Sequence, residues 1–341
     1  MMAAPYLLSW PLRHANALRQ RQRTRWPRLP RATISVGNIA SGGRAKTPMT
    51  AVLAHAALAR GLRPAILSRG YKGAISARSQ PLVLLAEDGP GACWKCRLSD
   101  GERHAAAPQW SKVSGDEPAW LAATCPGVPV GIHGSRQLSA RAILRHHEVD
   151  IFLLDDGFQT PIERDLDLVL LDPVSDPPFA HRSLCREGAE ALHRADRIAV
   201  VLSAPRELER GGQHWPQVRR RPSALRDLSS GELVAPESIS PVVVAAAVAQ
   251  TEGVANLARE SGLTVSSVLH IADHGEPGPR WRRRHLRGGA GPLLITEKDA
   301  VGWAGRSIPA GTPTLVLSMQ LSGAGALAEG LLDALELESA R

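Results

Sequence analysis

Cysteine is scarce, with four in 341 residues. Cys93, Cys96, Cys125 and Cys185 are too few and too unevenly placed for a disulfide framework. Cys93 and Cys96 form a lone C-x-x-C, without a second pair or the strand–helix context of a redox motif. Reduced thiols in a cytosolic compartment are expected, and a zinc site shared with His104 or Cys125 is the alternative. No run reaches 18 apolar residues, so no spanning helix is indicated. A signal peptide fits poorly, because the apolar stretch Tyr6 to Leu12 precedes the charges instead of following them. There is no internal repeat. There is also no helix-turn-helix, finger or aromatic-bearing RNA module, so nucleic acid is not an expected partner.

Lysine is rare as well, at five of the 41 basic residues, and arginine carries almost all of the net charge of +8. The excess favours anionic partners, unless it reflects genomic composition alone. Apolar residues make up 43% of the chain, which is globular rather than disordered. The length suffices for two domains. Residues 1–30 join Trp10 and Leu12 to a run of arginines, as an interfacial anchor on anionic lipid would. A basic arm packed on the domain, or contact with nucleic acid, is the alternative.

The chain is organised around ATISVGNIASGGRAKTP, residues 32–48. Ala32 to Val36 reads as a buried strand, followed by a glycine-bearing turn and, from Pro48 to about Arg60, a helix. This is the strand–loop–helix of a nucleoside triphosphatase phosphate loop. Gly42, Gly43, Arg44, Ala45, Lys46, Thr47 and Pro48 are the candidate nucleotide-binding residues. Ala45 and Ala40 stand where the usual pattern has glycine, and an ordinary turn with a surface lysine is the alternative. Asp150 to Gln159 reads as a second buried strand ending in Asp155 and Asp156. With Thr47, these carboxylates are candidate Mg²⁺ ligands; a simple turn is the alternative.

Strands and helices alternate through the chain. Strands are expected at Pro64–Ser68, Val128–Ile132, Leu168–Leu171, Arg197–Ser203, Pro241–Val248, Val265–Ile271, Pro292–Thr296 and Thr314–Ser318. Helices are expected near 115–125, 135–147, 186–194, 252–260 and 325–338. Residues 74–112 read as an irregular excursion, and 204–240 as poorly ordered. The pattern predicts an α/β fold of the P-loop NTPase type: a mostly parallel three-layer sheet with a second, smaller α/β domain. The expected boundaries are 1–30 for the membrane-associated segment, 31–215 for the core and 216–341 for the smaller domain.

Lys46, Thr47 and the aspartate pair together suit transfer of an ATP γ-phosphoryl group. Water as acceptor would give an ATPase, an alcohol a kinase. Asp116, at the start of a helix, is the candidate base, with His274 assisting. Arg69 and Tyr71, in a loop at a strand's carboxyl end, and Gln159, after the acidic pair, are candidate substrate contacts.

These blocks resemble the tetraacyldisaccharide 4′-kinases of lipid A biosynthesis. Ser35 to Pro48, Ser68-Arg69-Gly70-Tyr71, Gly115-Asp116-Glu117-Pro118, Asp155 to Gln159, Asp273-His274 and Thr296 to Val301 match in family order, over roughly residues 5–320. The resemblance implies a peripheral inner-membrane enzyme on the cytoplasmic face. It would use ATP and Mg²⁺ to phosphorylate the 4′-hydroxyl of a tetraacyldisaccharide 1-phosphate, forming lipid IVA. It projects the base onto Asp116 with help from His274, the loop cation and hydroxyl onto Lys46 and Thr47, and the metal pair onto Asp155 and Asp156. The family usually has glycine at Ala45 and a small or polar residue at Arg44, whose side chain is expected to meet phosphate or solvent. A P-loop ATPase or a non-catalytic membrane-associated homologue is the alternative function.

Overall fold

The computed structural model describes residues 9–20, 25–71, 73–74, 80–86, 94–98, 101–105, 107–180, 183–202, 215–239, 241–248, 251–272, 275, 291–303, 308 and 312–339. After helix α1 (Trp10–Gln20), strand β1 (Ala32–Gly37) leads into α2 (Lys46–Ala59). Then come β2 (Pro64–Ser68), β3 (Leu82–Leu85), β4 (Trp94–Leu98), β5 (Gly101–Ala105), α3 (Ala107–Ser114), α4 (Asp116–Thr124) and β6 (Val130–Ile132). The core half continues through α5 (Arg136–Leu144), β7 (Ile151–Asp155), β8 (Leu166–Leu171) and β9 (Arg197–Leu202). The remainder is β10 (Gln217–Asp227), β11 (Val242–Ala246), α6 (Thr251–Glu260), β12 (Val265–His270), β13 (Leu293–Thr296), α7 (Glu297–Trp303), β14 (Thr314–Ser322) and α8 (Ala324–Ser339).

All the described strands join one sheet, in the order β12-β11-β13-β14-β10-β9-β8-β1-β7-β2-β6-β3-β4-β5. From β6 to β10 the pairing is parallel, as expected for strands buried under helices on both faces. Apart from β10 these strands are mostly apolar, and β1, β2, β7 and β8 are buried along nearly their whole length. The α/β class read from the sequence is the observed one.

α2 is rich in alanine, a strong helix former. It ends in a Schellman turn: Gly61, at φ 75°, donates to the Leu58 carbonyl at 2.9 Å, and Leu62 to that of Ala57 at 3.0 Å. α8 returns from the far end of the sheet to share one buried cluster with α2, setting Leu327, Leu331 and Leu335 in the same core as Met49 and Leu53. Arg60 fastens this return by pairing with Glu329, Asp333 and Glu336 of α8.

Three expectations are corrected. The stretch 204–240 is not uniformly irregular, because β10 occupies 217–227 and pairs with β9 on one side and β14 on the other. Its arginines obscured a strand whose backbone pairing does not depend on apolar side chains. The excursion at 74–112 carries β3, β4 and β5, which extend the sheet edge by antiparallel pairing. The helix expected at 186–194 is a shorter 3₁₀ segment, Ala189–Arg194.

β10 also sets the geometry of the molecule. Only its first residues, Gln217–Arg219, pair with the carboxyl end of β9, and the rest runs beyond the core sheet. β14 returns antiparallel along it, while β13, β11 and β12 run parallel to β14. The carboxyl ends of these strands are therefore directed back toward the carboxyl edge of the core half. In open α/β sheets ligands bind at that edge.

Candidate active site

The loop after β1 is set by one close approach and one unusual backbone conformation. A Cβ on Gly37 would lie 2.5 Å from Cβ of Phe158, so the loop passes directly over the turn that follows Asp155 and Asp156. Ala45 then adopts a left-handed backbone, φ 56° and ψ 25°, and α2 begins at Lys46 without a side-chain cap. Uncapped first-turn amides of this kind are donors suited to receive an anion. For alanine this conformation costs about 1–2 kcal/mol.

β7 pairs with β1 so that Val36 faces Asp155, which brings the acidic pair beside the loop. Asp155 is buried. Thr47 Oγ1 and Thr50 Oγ1 each donate to it at 3.4 Å. Among the described residues no basic side chain forms an ion pair with it. Burial, reinforced by the charges of Glu117 and Asp156, pushes its carboxyl up to about 7. Asp156 behaves oppositely. It sits at φ 54°, 3.5 Å from Lys46 Nζ, and accepts from Arg186 Nη1 at 2.7 and 2.8 Å. Burial raises its pKa, but Lys46 and Arg186 override this and hold it at about 2. Adjacent carboxyls are thus driven apart: Asp156 is neutralised by protein cations and Asp155 lacks one.

That contrast tests whether a divalent ion fits. A threonine hydroxyl and carboxylates are hard oxygen donors of the kind Mg²⁺ takes, and the buried Asp155 is the group short of a cation. The loop base also holds unused polarity, since both side-chain amide atoms of Asn38 are buried without a protein partner.

Arg44 departs from expectation. Its guanidinium meets neither a phosphate position nor solvent, but is buried against Asp176, with Nε donating to Oδ2 at 2.9 Å and Nη2 to Oδ1 at 2.5 Å. Gln159 is turned inward: its amide nitrogen donates to the Asn38 carbonyl at 2.8 Å and to Glu187 at 2.9 Å. Arg69 and Tyr71 are exposed. Gly115, at φ 90°, closes the turn before α4, and a Cβ there would lie 2.7 Å from the Tyr71 carbonyl oxygen. The Tyr71 turn is thereby packed against the residue preceding Asp116.

Asp116 opens α4, with α7 as its neighbour from the other half. A Cβ on Gly302 would lie 3.4 Å from Asp116 Oδ1, and Lys298 Nζ is 3.7 Å from Glu117 Oε1. The next α7 residue, Trp303, donates from Nε1 to the Gly275 carbonyl at 3.1 Å. One short helix therefore touches Asp116 and the residue that follows His274 in sequence. Asp273 and His274 themselves lie outside the described residues, as do Lys72 and Cys93.

Sequence reasoning missed several residues. Arg186 clamps Asp156. Arg136, at the start of α5, is buried; Nη1 donates to the His133 carbonyl at 2.9 Å and Nε has no partner. Burial lowers its pKa to about 10, against the support of Asp155 and Asp156. Its place after β6, at the sheet's carboxyl edge, was the available signal. Glu117 acts electrostatically on Asp155. α1 exposes Trp10, Leu12 and Leu18, while Asn16 Nδ2 donates to the Arg186 carbonyl at 2.9 Å and ties the helix to the site. Among the described residues no helix is long and apolar enough to cross a membrane.

The family model of tetraacyldisaccharide-1-P 4′-kinase matches residues 2–336. Among curated relatives, the tetraacyldisaccharide 4′-kinase of Anaeromyxobacter dehalogenans is 36% identical over 332 residues, covering 88% of this chain and 81% of the relative. That of Geobacter sulfurreducens is 31% identical over 287 residues, covering 80% and 75%. That of Chlamydia abortus is 31% identical over 314 residues, covering 86% and 79%. The crystal structure of LpxK from Aquifex aeolicus in complex with ATP superposes with a TM-score of 0.67 at 22% identity, covering 96% of this chain and 97% of that one.

Proposed function

The chain belongs to the tetraacyldisaccharide-1-P 4′-kinase family, and from that premise we propose how its residues divide the work. The enzyme is an ATP-dependent kinase of lipid A biosynthesis. It transfers the γ-phosphoryl group to the 4′-hydroxyl of a tetraacyldisaccharide 1-phosphate and forms lipid IVA. The observation that carries the assignment of residues is the meeting of Lys46, Arg186 and the unequal Asp155–Asp156 pair beside the loop, with Asp116 set against α7.

Loop amides from Gly42 to Thr47 and the start of α2 receive the phosphates of ATP, and Lys46 supplies positive charge at their β- and γ-oxygens. Thr47 and Asp155 would hold Mg²⁺, with Asp156 alongside, and the bound ion would supply positive charge at the phosphate oxygens. Asp156 and Arg186 orient Lys46, and Gln159 braces that pair by accepting from Arg186 Nη1 at 3.3 Å. Arg136, buried beside the acidic pair with an unpartnered Nε, faces the transferred group.

Asp116 takes the proton of the 4′-hydroxyl as that oxygen bonds to the γ-phosphorus and the bond to the β–γ bridging oxygen breaks, leaving ADP. His274 assists Asp116, as the resemblance implies, and the residue after it in sequence, Gly275, is held by Trp303 of α7. Arg69 and Tyr71 face the acceptor. The unit at 216–341, apart from α8, which packs on α2 in the core, closes the acceptor site over the nucleotide-binding core at 31–215.

The segment at 1–30 lies on the cytoplasmic face of the inner membrane. Its support is the exposed Trp10, Leu12 and Leu18 beside basic residues. The acyl chains then stay near the bilayer while the sugar enters the site.

The test is phosphate transfer from γ-labelled ATP to tetraacyldisaccharide 1-phosphate in detergent micelles with Mg²⁺. Wild type labels the lipid, and Asp116→Ala retains ATP binding but labels almost none. Folded wild type that hydrolyses ATP without labelling lipid would overturn the kinase assignment. Full labelling by Asp116→Ala would overturn the choice of base.

A further inference from the structure

The loop carries two departures side by side: an alanine in a left-handed backbone at position 45 and an arginine at 44 turned away from the phosphate site. From their geometry we infer that the Arg44–Asp176 ion pair is the positioning device that holds the loop open for phosphate in spite of Ala45. The inference rests on reading the loop as the ATP site. Strained backbone persists only where its surroundings over-determine it, and here the surroundings can be named.

Arg44 is buried, and Asp176 is fully so. The two charges meet in a bidentate pair, the geometry that fixes orientation as well as distance. Arg44 Nη2 also donates to Ser175 Oγ at 3.0 Å and Ser183 Oγ at 2.7 Å. Asp176 is held in turn by the Asp172 amide at 2.9 Å and by the Ser183 hydroxyl.

The same segment grips the loop by its backbone. Ser41 N donates to the Leu184 carbonyl at 2.8 Å, and Arg186 N to that of Ile39 at 2.7 Å. Arg220 Nη2 of β10 also donates to the Gly43 carbonyl at 2.5 Å. Gly42, at φ 109°, completes the arrangement: a Cβ there would lie 2.6 Å from Arg44 Nη1, so the arginine folds back across a residue that must lack a side chain. With Arg44 fixed on one side and α2 beginning on the other, Ala45 has little freedom to leave the left-handed region.

The device predicts a pattern that general destabilisation would not produce. Removing the pair lets Ala45 relax to a right-handed backbone and withdraws the loop amides from ATP. A glycine at 45 has no such preference, so it should rescue the loss. The experiment uses the full chain and compares wild type, Arg44→Met, Asp176→Asn, and Arg44→Met with Ala45→Gly. It measures the KM for ATP, kcat, and amide hydrogen exchange across residues 39–50 without nucleotide.

Each single change to the pair should raise the KM for ATP about 5- to 10-fold, the factor that about 1–1.4 kcal/mol of αL cost yields. That rise should exceed any fall in kcat, and the loop amides should exchange faster. Adding Ala45→Gly to Arg44→Met should return both readouts toward wild type. Asp176→Asn keeps the side chain's shape, and it carries the test should Arg44→Met fold poorly. Unchanged exchange and KM in the single variants, or no rescue by glycine, would overturn the inference. Wild type that fails to bind ATP would instead defeat the reading of the site, while the exchange comparison would still decide whether Arg44 holds the loop.

Discussion

The turn that follows the acidic pair hangs on one buried arginine, and removing its charge gives a measurable prediction. Arg164 and Asp167 have side chains 0% and 1% exposed. Arg164 Nε donates to Asp167 Oδ1 at 2.9 Å and Nη2 to Oδ2 at 2.8 Å. Nη1 donates to the carbonyls of Thr160 and Ile162, each at 2.7 Å, and the guanidinium lies 5.3 Å from the Trp26 ring centroid. Arg164→Met keeps the apolar stem but takes the bidentate cation from a buried carboxylate and a donor from the carbonyls of Thr160 and Ile162. Breaking a buried pair in this way costs about 3–5 kcal/mol. Replacing both partners, as Arg164→Met with Asp167→Leu, removes the buried charge as well and should recover much of the loss. The assay is urea unfolding at pH 7 followed by tryptophan fluorescence. A loss below about 1 kcal/mol for the single variant, or a double variant less stable than the single, would refute the reasoning.

Three further outcomes are expected. Burial pushes Asp299 up to about 6 from 3.8, against its bonds from Thr296 and Ala247. Between those values the folded state holds a proton that the unfolded chain has released, so stability falls as pH rises through the window, by up to about 3 kcal/mol. Asp299→Asn should flatten that slope in unfolding measured from pH 4 to 7. Gly37→Ala would drive a Cβ to 2.5 Å from Cβ of Phe158 and 2.8 Å from its amide nitrogen. It should destabilise by about 1–3 kcal/mol and lower phosphate transfer; a thermal melt and a transfer assay check the two effects. Chelating divalent ions should abolish transfer and added Mg²⁺ restore it, with Asp155→Asn lowering kcat more than it raises the KM for ATP.

What the sequence determined by itself was what lies in contiguous residues. Ala32 to Pro48 is strand, loop and helix start in one run, and Asp150 to Asp156 is a strand with its acids attached, so local pattern placed both. The parallel direction of the core strands followed from the α/β alternation, but the placing of β1 beside β7, and with it the meeting of Lys46 with Asp156, did not. Tertiary structure decided what depended on distant partners. Arg44 could have reached a phosphate, and only Asp176, 132 residues away, turned it inward. Arg186 and Arg136 read as two arginines among many until the fold set them beside Asp155 and Asp156. β10 was hidden because its pairing is made by backbone while its side chains are largely charged. The approach of Gly302 to Asp116 depends on β10 and β14 directing the far half of the sheet back toward the core, a geometry set by strand direction and register that no local pattern encodes.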